Sequence, residues 1–349
     1  VFFVMVRVGQ ARRAAARWVG RYGRGSEGYL GAYVSGSTVG MPDDAELPAT
    51  SDIDVVVVSG SAQPPPKLGK IRHEGALLEV TTLPWSALDP PARVLESYHL
   101  AGSFRTDTLL DDPTGRLAQL RAYVEPRFAR PRWVLRRCAD ARTRIESGLE
   151  AFDPAAPFHQ ALTAWLFPAA VTTHVILVAA LRNPTVRLRY RAARVALEEY
   201  GHAGLYPELL GLLGCAEVSA ERVGRHLDAL AATFDATAAV ARTRFPFSGD
   251  LTPEARPVAI DGSRALVDGG EHREAVFWIL ATFARCHAVL AADAPGLGAE
   301  LEPDFRSAAR ELAGVDAAGS LPGRVAEVGA FVPRVWRTAE AMVGSPGER

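Results

Sequence analysis

Two carboxylates one residue apart, Asp52 and Asp54, lead into an apolar run, Ile53 and Val55 to Val58. Side chains alternate along an extended chain, so both acids project from one face, one pleat repeat apart. Neighbouring carboxylates repel, and each raises the other's pKa unless a cation lies between them. A hard divalent ion such as Mg2+ takes carboxylate oxygens and is commonly completed by substrate phosphates. A third acid, Glu79, stands in the apolar and β-branched segment Ala76–Leu83, where an ionised group is costly without a partner. If the two strands are neighbours, three carboxylates meet on one patch. That patch suits two-metal chemistry, in which cations clamp the attacking and leaving oxygens of an in-line displacement. Glu79 has a second available role, general base to an acceptor hydroxyl. Upstream, Gly36-Ser37 ends the apolar segment Tyr29–Val34 and offers backbone N–H groups and a hydroxyl to phosphates. Phosphoryl chemistry is what these residues suit.

The elements that must position them follow from periodicity. Arginines alternating with Ala, Val and Trp18 at helical spacing predict a first helix over Gln10–Tyr22. Strands are expected at Gly31–Ser35, Ile53–Ser59 and Leu77–Leu83, and Gln63–Lys70 as a loop, because consecutive prolines cannot join a ladder. Pro91–Ser103 reads as helix, Thr108–Asp111 as a short strand ended by the turn Asp112-Pro113-Thr114-Gly115, and Arg116–Val124 as helix. Together these make a mixed sheet backed by helices. Glu125–Pro131 is the best boundary, giving domains 1–128 and 129–349. Beyond it the pattern is helical: Arg132–Phe152, Phe158–Leu181, Thr185–Tyr200, Tyr206–Leu213, Ser219–Arg244, Glu271–Ala292, Glu302–Leu312 and Gly323–Val343. Phe245–Gly270 reads as a long irregular excursion or lid. The fold class is therefore α+β, a mixed-sheet domain followed by an all-α domain.

Gly36-Ser37, Asp52-Ile53-Asp54 and Glu79 resemble the signature of the DNA polymerase β-like nucleotidyltransferase superfamily. Ser-Asp-Ile-Asp followed by a Leu-Glu-Val-Thr strand is most similar to its small-molecule branch, which includes the aminoglycoside nucleotidyltransferases. The resemblance covers roughly residues 29 to 112, about a quarter of the chain. The loop Thr38–Ser51 is slightly longer than that branch's usual spacer. The resemblance implies an enzyme moving a nucleoside monophosphate, AMP from ATP, to an acceptor hydroxyl with two Mg2+ ions. Asp52 and Asp54 would hold the metals, Ser37 would contact the phosphates, and Glu79 would be the third ligand or the base. It also implies that the acceptor, an aminoglycoside-like small molecule, lies between the sheet and the helical domain. Two alternatives keep the fold: AMP transfer to a protein, as by a toxin or antitoxin component, and a nucleotide-binding regulatory module without turnover. The three intact acids speak against the last.

Two helical-domain constellations are candidates for substrate binding. Arg187 and Arg191, four apart, would share a helix face suited to gripping a triphosphate. Glu271 and Glu274, delivered by Gly269-Gly270, would hold a cationic acceptor, although acids in a first helical turn are also favoured by the macrodipole alone.

The chain has 349 residues and a formal net charge of -1, so no basic field invites nucleic acid. Among its 39 basic residues only Lys67 and Lys70 are lysines, which reads as a coding bias toward arginine. Cys138, Cys215 and Cys286 form no metal pattern and fit reduced thiols in a cytoplasmic protein. The opening Val1–Val8 is too short to span a bilayer and carries its charge on the wrong side for a signal peptide, with Met5 a candidate initiator. Ala155–Leu181 lacks Asp, Glu, Lys and Arg and is long enough to cross a membrane. Pro168, His174, Gln160 and Thr172-Thr173 argue instead for a buried central helix, and no membrane partner is expected.

Overall fold

The computed structural model describes residues 6–65, 67–316 and 318–344; Met5, the candidate initiator, and Pro66 of the proline-rich loop lie outside them. It divides into two compact units. The first comprises Val1–Arg137, Leu181–Pro184 and Ser248–Val258, and the second Cys138–Ala180, Thr185–Phe247 and Ala259–Arg349.

The first unit is built on strands β1 (Val6–Arg7), β2 (Tyr29–Ser35), β3 (Glu46–Leu47), β4 (Ile53–Ser59), β5 (Gly69–His73), β6 (Ala76–Pro84) and β7 (Leu109–Asp111). Five of them form one mixed sheet in the order β5-β6-β4-β2-β7, while β1 and β3 pair separately. Only β4 and β6 run parallel; the other neighbours are antiparallel. Helix α1 (Val8–Arg21) lays Val8, Ala11, Ala15, Trp18 and Val19 on one sheet face, against Ile53, Val55 and Val57 of β4 and Leu78 and Val80 of β6. The opposite face carries Tyr33 and Val58, covered by α2 (Pro91–Glu96) and α3 (Arg116–Val124) through Val94, Leu95, Leu117 and Leu120. Strand alternation therefore sends every second residue of β4 to the α1 core and leaves Asp54 on the other face.

Three expectations change. The proline-rich loop ends earlier than Lys70. The chain regains N–H donors after the prolines, Leu68 N–H donates to Val80 O at 3.1 Å, and the ladder starts at Gly69. Pro91–Ser103 is not one helix, because Ser97 turns extended after Glu96 and a 3-10 turn follows only at Ala101–Phe104. The third change concerns Phe245–Gly270. Thr252 caps a 3-10 turn by accepting from Ala255 N–H, the chain winds on through Pro257–Asp261, and a helix occupies Gly262–Asp268. Proline here begins a turn, a position in which its missing N–H costs nothing.

The second unit is helical, as its periodicity predicts. Along the chain run α4 (Pro131–Glu150), within which the two units divide, α5 (Phe158–Ala179), α6 (Arg189–Glu199), α7 (Leu205–Leu213), α8 (Ala220–Val240), α9 (Gly262–Asp268), α10 (His272–Asp293), α11 (Pro295–Ala313) and α12 (Leu321–Gly344). Helices α5 and α10 form its centre and pack on each other, with α6 and α12 against α5 and α8 and α11 against α10. Both are apolar and long enough to cross a bilayer, yet 83% and 78% of their apolar windows are buried inside the protein. Helix α11 begins at Pro295, earlier than expected, with proline in its first turn.

Ile53 is fully buried where α1 meets the sheet. Truncation there removes buried methyl groups and leaves a cavity. Ile53→Ala is expected to lower unfolding free energy by about 2–5 kcal/mol in urea titration; a loss well below that would contradict its place between α1 and the sheet.

Candidate active site

The register of three strands creates the site. Asp54 pairs with Glu79 across the parallel β4–β6 junction, and Lys70 pairs with Glu79 across the antiparallel β5–β6 junction. Ser35 pairs with Asp54 on β2. Residues opposite one another share a face, so Ser35, Asp54, Glu79 and Lys70 make a row across four strands. Asp52, two residues before Asp54, joins it. Ligand oxygens of Asp52, Asp54 and Glu79 all lie within 4.8 Å of one another. The three acids thus converge as their spacing suggests.

Between them sits a cation that sequence reasoning assigned to a loop. Lys70 is buried, and its Nζ donates to Asp52 Oδ2 at 2.6 Å and to Glu79 Oε2. Lys67 pairs with the other oxygen of Glu79. Asp250, from the segment Ser248–Val258, stands 3.5 Å from Lys70 Nζ. Gly69 and Gly249 meet back to back: a Cβ on Gly69 would lie 2.9 Å from Gly249 Cα. Gly69 also has φ +85°, so the approach that brings Asp250 onto Lys70 needs glycine twice over. Asp54 is the exception in this network. It makes no hydrogen bond or ion pair among the described residues.

Electrostatics sort the acids. Burial pushes the Asp54 carboxyl well above its ordinary value, and Asp52 and Glu79 push it further. Burial likewise raises Asp52, against the opposing pull of Lys70. Burial also disfavours ionised Glu79, but Lys70 and Lys67 reverse the effect and hold its pKa down to about 2. For Lys70 itself burial disfavours the ammonium, and Asp52, Glu79 and Asp250 outweigh it to leave the pKa above the ordinary lysine value. A carboxylate titrating near 2 is a poor proton acceptor at neutral pH. Of the two roles open to Glu79, its two ammonium partners favour ligand or counter-charge over general base.

The turn expected to meet phosphate abuts this row. Gly36 begins a 3-10 turn, Gly36–Thr38, with φ +73°. A Cβ at Gly36 would stand 1.7 Å from Asp54 Oδ2, so backbone and carboxylate occupy adjoining space that no side chain could share. Ser37 is exposed. Asn183 Nδ2 donates to Gly36 O at 3.0 Å and fixes the turn from a segment about 150 residues away in sequence. No sequence signal marked Asn183. For Lys70 the sequence offers only rarity, since it and Lys67 are the chain's two lysines; their contacts with Glu79 come from the fold.

The helical-unit candidates are occupied otherwise. Helix α6 starts at Arg189, so Arg187 precedes it and does not share a helix face with Arg191; Arg187 Nη1 instead donates to Gly262 O at 2.9 Å. Arg191 Nε lies 3.1 Å from Glu271 Oε1, which Arg194 also reaches at 2.5 Å. Glu274 is buried, accepts from Tyr206 O–H at 2.6 Å and faces Arg194 Nε at 3.3 Å. Glu271 and Glu274 therefore tie α10 to α6 and α7 and are already neutralised by arginine.

The donor set fits a hard divalent cation: three carboxylates within reach of one ion, one of them uncompensated. No protein-family model matches the chain, and no curated protein matches it.

Because Asp54 is raised, its ionised form weighs against folding while no cation offsets it. Asp54→Asn should raise the thermal midpoint of the metal-free protein at neutral pH. The gain should be full above the folded pKa of Asp54 and shrink as pH falls through it, vanishing near the ordinary aspartate value of about 4. Thermal scans of both proteins across that range check this, and a destabilised variant at neutral pH would refute the assignment.

Proposed function

We propose that the protein is a Mg2+-dependent nucleotidyltransferase of the DNA polymerase β-like superfamily, moving AMP from ATP to a hydroxyl of a small molecule. An aminoglycoside or related aminocyclitol is the leading acceptor class. The observation that carries this reading is the Asp54–Glu79 pair in parallel register, with Asp52 beside it and the Gly36-Ser37 turn against Asp54.

In the reaction an acceptor oxygen bonds to the α-phosphorus while the bond to the bridging oxygen breaks, and the electron pair leaves on pyrophosphate. A divalent ion at Asp52 and Asp54 would draw charge from the phosphate oxygens. The chain's own part is positioning and charge. The Gly36-Ser37 turn offers N–H groups and a hydroxyl to phosphate, and Asn183 keeps the turn in place. Asp52 and Asp54 present oxygen ligands from one strand face, held by the α1 core behind it. Glu79 stays ionised between two lysines and orients Lys70. The acceptor's proton goes to solvent water, because both oxygens of Glu79 are engaged.

One observation favours a second reading. Lys67 and Lys70 already neutralise much of the acidic cluster, which suits a regulatory module binding nucleotide without turnover.

Incubation with Mg2+ and ATP labelled at the α-phosphate, with and without an aminoglycoside panel, separates these. Label is expected on the small molecule, abolished by chelator and reduced at least about a hundredfold by Asp54→Asn. Label on protein would mean a protein-modifying enzyme instead. No label anywhere, with the other nucleoside triphosphates also inert, would defeat the catalytic proposal and favour the module.

A further inference from the structure

The two-metal pattern and the structure disagree at one place. A second cation beside Asp52 and Glu79 would stand where an ammonium already is. Lys70 Nζ bridges Asp52 Oδ2 and Glu79 Oε2, and the β5–β6 register fixes its backbone directly opposite Glu79. Its side chain is 5% exposed, enclosed by Asp52, Glu79 and Asp250, and the Gly69–Gly249 contact holds Asp250 in place. Lys67 takes the remaining oxygen of Glu79. Of the four acids in this cluster, Asp54 alone makes no hydrogen bond or ion pair among the described residues.

We propose that Lys70 fills the second cation position permanently, so that the site takes a single divalent ion, on the Asp52–Asp54 side. This deepens the nucleotidyltransferase reading and rests on it. Charge is consistent with one ion. Asp52, Asp54 and Glu79 bring three negative charges against the ammonium groups of Lys67 and Lys70, and one divalent cation already exceeds the remainder. A second would be repelled by the lysine at contact distance.

Residue choice points the same way. Arginine serves almost everywhere else in the chain that a base is needed, yet both lysines are found on Glu79. A coding bias explains the arginines and leaves these two positions unexplained. Arginine's planar fork spreads its charge over several donors, whereas an ammonium is a compact point charge able to stand between two oxygens as a metal ion does.

The test counts Mn2+ on the full chain with an ATP analogue that cannot be cleaved between its α- and β-phosphorus atoms. Two ions in a shared site lie about 3.5–4 Å apart and couple magnetically; one ion gives the spectrum of an isolated Mn2+. Wild type is expected to retain one Mn2+ per chain after gel filtration, with an uncoupled paramagnetic resonance spectrum. Lys70→Met, which removes the ammonium and keeps the stem, should retain two with a coupled spectrum, and Asp54→Asn should lose the wild-type ion. Two coupled ions on wild type would overturn the inference while leaving nucleotidyl transfer intact. No retained Mn2+ on wild type, and no difference from Asp54→Asn, would overturn both. The wild-type count decides the question even if Lys70→Met folds poorly.

Discussion

The hydrogen-bond register of β4 and β6 puts two acidic side chains next to each other whatever their charges prefer. Two like charges about 4 Å apart at an effective dielectric near 20 repel by about 4 kcal/mol. A domain's net stability is only about 5–15 kcal/mol. A parallel pair of acids at the heart of a sheet is therefore tolerable only with compensation close by. Here the compensation comes from the next strand over, where the same kind of register aligns Lys70 with Glu79. The row alternates in sign from β6 to β5 and fails to do so from β4 to β6, and the shortfall is concentrated on Asp54.

What keeps that row in place lies on the reverse of the sheet. Ile53, Val55 and Val57 are buried against α1, and they are the residues between and beyond the acids. Slipping β4 by one residue would send the acids into the α1 core and the valines onto the polar face. The apolar core thus pins the register, and the register assembles the acids. Gly36 adds a local constraint, because no other residue would leave room for Asp54 beside the turn.

This division of labour explains what could be read in the sequence. Alternation within Ile53–Ser59 and Leu77–Leu83 revealed strands, faces and acids together, because one side of each strand is core and the other is not. The helices of the second unit were legible for a similar reason, with apolar positions recurring every three or four residues. Lys70 was hidden by its neighbours: Pro64 and Pro65 marked a loop, and nothing local announced that the ladder resumes at Gly69. Helix α9 was hidden likewise, since Pro257 and Gly262 read as breakers although one lies at a turn start. The helix face expected to join Arg187 and Arg191 does not form, because a four-residue spacing has meaning only inside a helix and α6 begins between them. Asn183 and Asp250 had no signal at all. Their roles come from tertiary proximity to residues far away in the chain.

That last pair changes how the first unit is understood. A fragment ending at Phe128 carries the three acids, both lysines and the Gly36 turn, everything the motif contains. It lacks Asn183, which holds the Gly36 carbonyl, and Asp250, which closes the ring of carboxylates around Lys70. Both come from short segments, Leu181–Pro184 and Ser248–Val258, that leave and re-enter the helical sequence. The motif supplies ligands, and these insertions supply their support: one steadies the backbone expected to meet phosphate, the other confines the ammonium. A buried lysine held by two carboxylates alone could swing aside for a cation, whereas one also held by Asp250 has to break a third contact first. On the single-ion proposal, the number of ions the cluster admits depends as much on a segment some 180 residues downstream of Lys70 as on the three acids themselves.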